Sequence, residues 1–140
     1  MFEELDTTRT GAATAADGTR LAYRVDGPAG APVVVFAHSL GLDGRMWQPQ
    51  VATFAARFRV VRYDSRGHGR SDVPPGPYTL DQLGGDLLAV LDALGVERAH
   101  VCGISLGGQI ALWLAAHTAD RLRRAVFADT GARIGTEESW

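Results

Sequence analysis

The stretch that decides the fold is Gly103-Ile104-Ser105-Leu106-Gly107-Gly108. It reads G-x-S-x-G, the pattern of a serine nucleophile held on a tight turn from a strand into a helix. The apolar run 99–102 before it predicts a buried strand, and the Ala- and Leu-rich run 106–117 after it predicts a helix. Glycines on either side of Ser105 allow the strand and helix backbones to approach closely. We therefore expect Ser105 to be a nucleophile displayed at the end of a sheet.

The sequence offers no evident general base for this serine. On this kind of turn, the acid and the histidine of a catalytic triad follow the nucleophile in the chain. His117 is the only histidine after Ser105, and twelve helical residues place it roughly 18 Å away. His100 lies toward the opposite end of its strand, while His38 and His68 precede the nucleophile. We predict that the 140 residues contain a nucleophile without its base.

Strands and helices alternate along the chain, which predicts an α/β fold with a mainly parallel sheet flanked by helices. Asp17-Gly18 predicts a two-residue turn between strands 9–16 and 19–25. Thr79 and Gln82 form a predicted capping box at the start of a helix. The further predicted strands are 33–37, 59–63, 98–102 and 124–128, and the predicted helices are 47–57, 80–94 and 106–117. No second domain is expected.

The composition argues against several classes of function. The net charge is −2, all fourteen basic side chains are scattered arginines, and no lysine is present, so nucleic acid, Schiff-base and P-loop chemistry are not expected. No apolar run is long enough for a membrane span, and the acidic N-terminus does not resemble a secretory signal. The single cysteine, Cys102, is expected to be a small buried residue. These features predict a cytoplasmic protein.

Backbone amides near the serine are expected to stabilise an oxyanion. His38-Ser39-Leu40-Gly41 follows the apolar strand 33–37, and in this architecture the loop after that strand supplies one amide. The residue after the nucleophile supplies the other. Leu40 and Leu106 are therefore the predicted donors, while His38 is expected to brace the loop through hydrogen bonds.

Other polar residues are weaker or alternative candidates for chemistry. Asp64 and His68 lack a third ligand at a suitable spacing, so no metal site is expected, and Asp64 with Arg66 suggests a structural charge network. Asp129 ends the last predicted strand, where it is either the triad acid or a turn cap. Arg45 and Arg133 are candidates for binding a substrate carboxylate as a bidentate fork.

These motifs together resemble the α/β-hydrolase family. The run from Tyr63 to Trp140 resembles, more narrowly, the 3-oxoadipate enol-lactonases. The segments that match the wider family are 38–41, Arg45-Met46-Trp47, 63–71 and the serine turn. The narrower match rests mostly on 74–79, 81–86 and 132–135. The resemblance implies that Trp47 belongs to the substrate site and that neither a metal nor an organic cofactor is needed. It also implies that residues 1–140 are the N-terminal part of one core domain, truncated after about the sixth strand, with the cap and last strands missing. Asp129 departs from the asparagine expected at its position.

The resemblance implies that the intact enzyme opens a small carboxylated lactone through an acyl-enzyme on Ser105. A general carboxylesterase or a cofactor-free haloperoxidase or perhydrolase of the same fold is the alternative. A third alternative is a non-catalytic remnant or an interaction module. The strand near Val126 is then expected to be an unpaired apolar edge that promotes self-association. The expected partners are a small lactone or ester, without nucleic acid or membrane.

Overall fold

The computed structural model describes residues 8–134, which form one six-stranded sheet with helices on both faces. The elements in chain order are β1 (Arg9–Thr14), β2 (Arg20–Asp26), β3 (Val33–Ala37), α1 (Gln48–Ala55), β4 (Arg59–Tyr63), α2 (Leu80–Ala93), β5 (Ala99–Ile104), α3 (Leu106–His117) and β6 (Leu122–Ala128). A 3₁₀ turn, Gly44–Trp47, leads into α1. The predicted α/β class is therefore confirmed, with strand and helix ends that differ by a few residues from the predicted ones.

The order of strands places the carboxyl ends of four parallel strands at one end of the sheet. The order is β1-β2-β4-β3-β5-β6. β1, β2 and β4 pair antiparallel, whereas β4, β3, β5 and β6 are mutually parallel. Loops that follow parallel strands meet at the same edge, which is where open α/β sheets place their binding sites. The loops after β3, β4, β5 and β6 therefore share one end of the molecule.

The first hairpin has a longer turn than the predicted two residues. The Ala15 amide donates to the Thr19 carbonyl at 2.9 Å and closes a turn over residues 16–18, in which Gly18 has φ +86°. The Asp17 carboxylate accepts from the Thr19 amide at 3.0 Å and from the Arg66 guanidinium at 2.8 Å. The prediction of Asp17-Gly18 as a tight two-residue turn was wrong because both contacts hold Asp17 in a wider loop.

Both faces of the central strands are buried, but by different helices. On one face α2 and α3 pack against the sheet through Leu87, Leu91, Ile110 and Leu114, all of which are fully buried. On the other face α1 packs against Val34, Phe36 and Val60 through Phe54. The predicted capping box is present, since Thr79 accepts from the Gln82 amide and Gln82 from the Thr79 amide.

The face beyond α1 is less well covered near β5 and β6. A groove of about 620 Å³ lies there; its apolar lining includes Phe58, Cys102 and Val126, and its arginines are Arg98, Arg123 and Arg124. Cys102 is half-buried, and burial raises the pKa of its thiol. Within residues 8–134, β6 pairs with β5 alone and its outer edge is unpaired. Val126 is 57% exposed and Phe127 is 43% exposed. An apolar edge strand of this kind is a template for pairing.

A buried arginine joins the first hairpin, the loop after β4 and α2. The Arg66 guanidinium donates to both Asp86 carboxylate oxygens at 2.7 Å and to Asp17 at 2.8 Å. Arg66 and Asp86 are 2% and 1% exposed. Arg66 does not pair with Asp64, whose carboxylate accepts instead from backbone amides. The predicted charge network is thus two separate networks.

Within residues 8–134, every helix falls short of the length and apolar character that a membrane crossing requires.

Candidate active site

Ser105 occupies a backbone conformation that non-glycine residues rarely adopt. Its φ is +53° and its ψ is −114°, at the junction between β5 and α3. Such a conformation costs on the order of 1–3 kcal/mol and persists only where its surroundings hold it. The Ser105 amide donates to the Ala128 carbonyl at 3.0 Å, and the Thr130 hydroxyl donates to the Ser105 carbonyl at 2.7 Å. The side chain makes no capping hydrogen bond to α3. The hydroxyl is thus displayed on a strained turn.

Two glycines allow this turn to form and place α3 against β3. A Cβ on Gly103 would lie 2.1 Å from the Gly107 carbonyl oxygen. A Cβ on Gly107 would lie 2.2 Å from the Ala37 carbonyl oxygen. Both distances are far below van der Waals contact, so no other residue fits without moving the backbone. The close approach brings the first turn of α3 next to the end of β3 and the loop that follows it.

The two predicted oxyanion donors belong to these adjoining segments. Leu106 is the first residue of α3, where backbone amides lack helical partners and favour negative charge. Leu40 lies in the loop after β3, is 49% exposed, and precedes Gly41, whose φ is +75°. The Leu42 amide donates to the Ser39 carbonyl at 3.2 Å and closes a turn around Leu40. The fold therefore brings the segments of Leu40 and Leu106 together.

His38 braces the loop after β3, as predicted. It is fully buried; its Nδ1–H donates to the Ser39 carbonyl at 2.8 Å, and its Nε2 accepts from the Ser65 amide at 2.9 Å. Burial lowers the pKa of His38 below its ordinary value. The ring is therefore neutral and holds its loop against the loop after β4.

The lowered pKa of His38 predicts a loss of stability at mildly acidic pH. The unfolded chain binds a proton on this residue near pH 6.5, whereas the folded protein resists it. The free energy of unfolding should therefore fall as pH drops below about 6.5, by at most about 1.4 kcal/mol per pH unit. In His38→Gln, an amide oxygen can replace the Nε2 acceptor without titrating. Denaturant unfolding between pH 5 and 7 should show a smaller slope in this variant; identical slopes would contradict the prediction.

Among residues 8–134, none of the four histidines makes a hydrogen bond to Ser105. His117 ends α3, where its Nδ1 lies 2.9 Å from the Trp113 carbonyl oxygen and its ring stacks on Trp113. His100 lies in β5, near its start. That no evident base accompanies the nucleophile stays a prediction.

Asp129 directly follows β6 and is close in the chain to two residues that hold the serine turn. Its φ is +43° and its side chain is exposed. Its neighbours Ala128 and Thr130 both hydrogen-bond the Ser105 backbone. Its carboxylate accepts no hydrogen bond from a histidine within the described residues. Asp129 as a triad acid remains a prediction.

The three candidate substrate residues have different environments. Arg45 is exposed, but its guanidinium is already paired with the Asp43 carboxylate, with a shortest distance of 2.7 Å. That pair lowers the pKa of Asp43 to about 2. Trp47 stacks on Phe36, with ring centroids 4.8 Å apart, and thus packs on the second core cluster. Arg133 is exposed in the segment after β6.

Sequence reasoning missed two contacts that shape the site. The Thr130 hydroxyl reaches the Ser105 carbonyl across 25 positions, and the Gly41 amide reaches His68 across 27. The sequence set His68 aside as a base, because it precedes Ser105, and as half of an incomplete metal pair. No local pattern announces either contact, because each depends on which strand ends the sheet places side by side.

This fold and serine turn define an α/β hydrolase. The model of the alpha/beta hydrolase fold family matches residues 32–140, and the chain belongs to that family. The chain is 50% identical over 123 residues to 3-oxoadipate enol-lactonase 1 from Acinetobacter baylyi, covering 88% of this chain and 46% of that protein. The match confirms the resemblance to the enol-lactonases that the sequence motifs indicated.

Solved structures give the same assignment. A hydrolase from Pseudomonas aeruginosa PA01 superposes with a TM-score of 0.92 and 48% identity, covering 94% of this chain and 50% of that one. The enol-lactonase from Burkholderia xenovorans LB400 superposes with a TM-score of 0.89 and 49% identity, covering 93% and 50%. The chain thus spans about half the length of these relatives.

Proposed function

We propose that Ser105 is the nucleophile of a hydrolase that opens a small carboxylated lactone, converting 3-oxoadipate enol-lactone to 3-oxoadipate. The observation that carries this proposal is the positive-φ serine at the head of α3, beside the loop of Leu40. The chain's similarity to enol-lactonases supports the choice of substrate.

The proposed reaction divides into two steps. The Ser105 hydroxyl oxygen attacks the lactone carbonyl carbon, the ring C–O bond breaks, and an acyl-enzyme forms. The Leu40 and Leu106 amides hold the negative charge on the carbonyl oxygen during attack. The ring oxygen leaves with the proton that Ser105 released, as an enol, and that proton then moves from oxygen to carbon to give the ketone. Water then cleaves the acyl-enzyme, so the net reaction adds one water to the lactone.

The base that takes the Ser105 proton is proposed to lie outside residues 8–134. Loss of a triad histidine can cost on the order of 10⁶ in kcat. We therefore propose that residues 1–140 alone have little hydrolase activity. Rapid lactone turnover by the purified 140-residue chain, abolished by Ser105→Ala, would overturn this part of the proposal.

Recognition of the substrate carboxylate is assigned to Arg45 and Arg133. In the natural gene product that carries this sequence, Arg133→Gln should raise KM for the carboxylated lactone roughly tenfold, because a charged hydrogen bond is lost. KM for a neutral ester should change little. Arg45→Gln should have the smaller effect, because Asp43 already occupies that guanidinium. Steady-state kinetics on both substrates give the comparison.

The matched control for this experiment is Arg57→Gln, which removes an exposed arginine just after α1. Arg57→Gln should leave KM for both substrates unchanged. If neither Arg45→Gln nor Arg133→Gln changes KM for the lactone, the carboxylate assignment is wrong. Faster turnover of neutral esters than of the lactone would instead favour the general carboxylesterase or perhydrolase reading.

We propose an interaction module as the second candidate function for the isolated chain. The observation that favours it is the outer edge of β6, which is unpaired within the described residues 8–134 and carries exposed Val126 and Phe127. Sedimentation velocity of the 140-residue chain should show association that grows with concentration. Val126→Lys should weaken it, because edge lysines oppose strand pairing. A concentration-independent monomer would contradict this candidate.

A further inference from the structure

The loops after β3 and β4, at the carboxyl ends of these strands, bind each other through reciprocal hydrogen bonds. The Ser65 amide, after β4, donates to His38 Nε2 after β3, at 2.9 Å. The Gly41 amide, after β3, donates to His68 Nε2 after β4, at 3.0 Å. Each loop therefore gives one amide and one imidazole to the other. We call His38, Gly41, Ser65 and His68 the histidine clasp; its two ring centroids lie 5.0 Å apart.

The partners of the clasp fix the protonation of both rings. His38 Nδ1 lies 2.8 Å from the Ser39 carbonyl oxygen, and His68 Nδ1 lies 2.9 Å from the Arg66 carbonyl oxygen. A carbonyl can only accept and an amide can only donate, so each Nδ1 carries the proton and each Nε2 offers a lone pair. Both imidazoles are therefore neutral. A proton on His68 Nε2 would place a donor against the Gly41 amide donor.

The loop after β4 is held more firmly than the loop after β3. The Asp64 carboxylate, 1% exposed, accepts from the Arg70 amide of its own loop at 3.0 Å. Arg66, which precedes His68 by two residues, is fixed by Asp86. The loop after β3 is more exposed around Leu40 and Gly41. His68 thus links an exposed turn to a buried framework.

We propose that His68 is a positioning residue for the oxyanion site. By accepting the Gly41 amide on its uncharged Nε2, it fixes the residue next to Leu40 and aims the Leu40 amide at the oxyanion. This inference rests on the proposed function of Leu40. The charged groups around the clasp are Asp43 with Arg45, Asp64 with Arg24, and Arg66 with Asp86.

The test compares His68→Leu with His68→Gln in the natural gene product that carries this sequence. Leucine removes the acceptor, whereas the glutamine amide oxygen restores one. The first readout is hydrogen exchange of the Gly41 amide by NMR, which does not depend on activity. The second is kcat and KM for the enol-lactone, with Ser105→Ala as the activity control.

His68→Leu should speed exchange of the Gly41 amide roughly tenfold, as expected for one lost hydrogen bond. It should lower kcat by up to about 10²–10³, the effect of one lost oxyanion donor, with little change in KM. His68→Gln should restore both values.

Three results would overturn parts of this inference separately. Unchanged Gly41 exchange in His68→Leu would show that the clasp does not hold the loop. Faster exchange with unchanged kcat, while Ser105→Ala is inactive, would remove the positioning role and leave the proposed function standing. Full activity of Ser105→Ala would remove the proposed function, and with it the catalytic role of His68, whereas the exchange data would still report on the hydrogen bond.

Discussion

Ser105→Ala is expected to lower kcat for the enol-lactone by a factor on the order of 10⁶ in the natural gene product. Without the hydroxyl oxygen no acyl-enzyme forms, and only the oxyanion amides and substrate binding remain. The strained backbone adds a second, independent expectation. Because Ser105 has φ +53°, Ser105→Gly should be more stable than Ser105→Ala by roughly 1 kcal/mol while being equally inactive.

Lactone hydrolysis and denaturant unfolding measure these two effects separately. Thr53→Ala is a suitable control, because it removes an exposed hydroxyl within α1. It should change neither kcat nor the free energy of unfolding appreciably. Retention of substantial turnover by Ser105→Ala would contradict the nucleophile assignment. A Ser105→Gly variant less stable than Ser105→Ala would contradict the assignment of strain to this turn.

Asp86→Ala is expected to cause the largest loss of stability, about 3–5 kcal/mol. The Arg66 guanidinium, 2% exposed, would lose both charge-assisted hydrogen bonds to Asp86 and keep only the more exposed Asp17. A buried charge without its partner is strongly destabilising. Denaturant unfolding of the natural gene product gives the free energy directly.

Asp92→Ala provides the matched control for this experiment. Asp92 also pairs with an arginine, Arg121, at 2.6 Å, but its side chain is 66% exposed. Its loss should cost about 1 kcal/mol or less. Asp86→Asn, which retains an oxygen acceptor, should fall between the two and remain measurable if Asp86→Ala fails to fold. Equal losses for Asp86→Asn and Asp92→Ala would show that burial of the Arg66 pair does not set its contribution.

The local patterns of the sequence determined most of the elements and the place of the serine. Apolar runs such as 33–37 and the capping box at Thr79 act over a few residues, so their structural meaning can be read directly. The G-x-S-x-G turn is equally local, since Gly103 and Gly107 are needed by backbone contacts within or beside the turn. The α/β class followed from the alternation of these elements.

The tertiary structure alone decided the partners of the polar groups. Arg66 selects Asp86 and Asp17, which are 20 and 49 positions away, and the contact with Asp17 is one reason the first hairpin departs from its predicted turn. His68 likewise became a brace for Gly41 only because β3 and β4 lie side by side. A charged or polar side chain can satisfy its hydrogen bonds with many partners of similar energy. Which partner such a side chain binds therefore depends on which strand ends the sheet brings together.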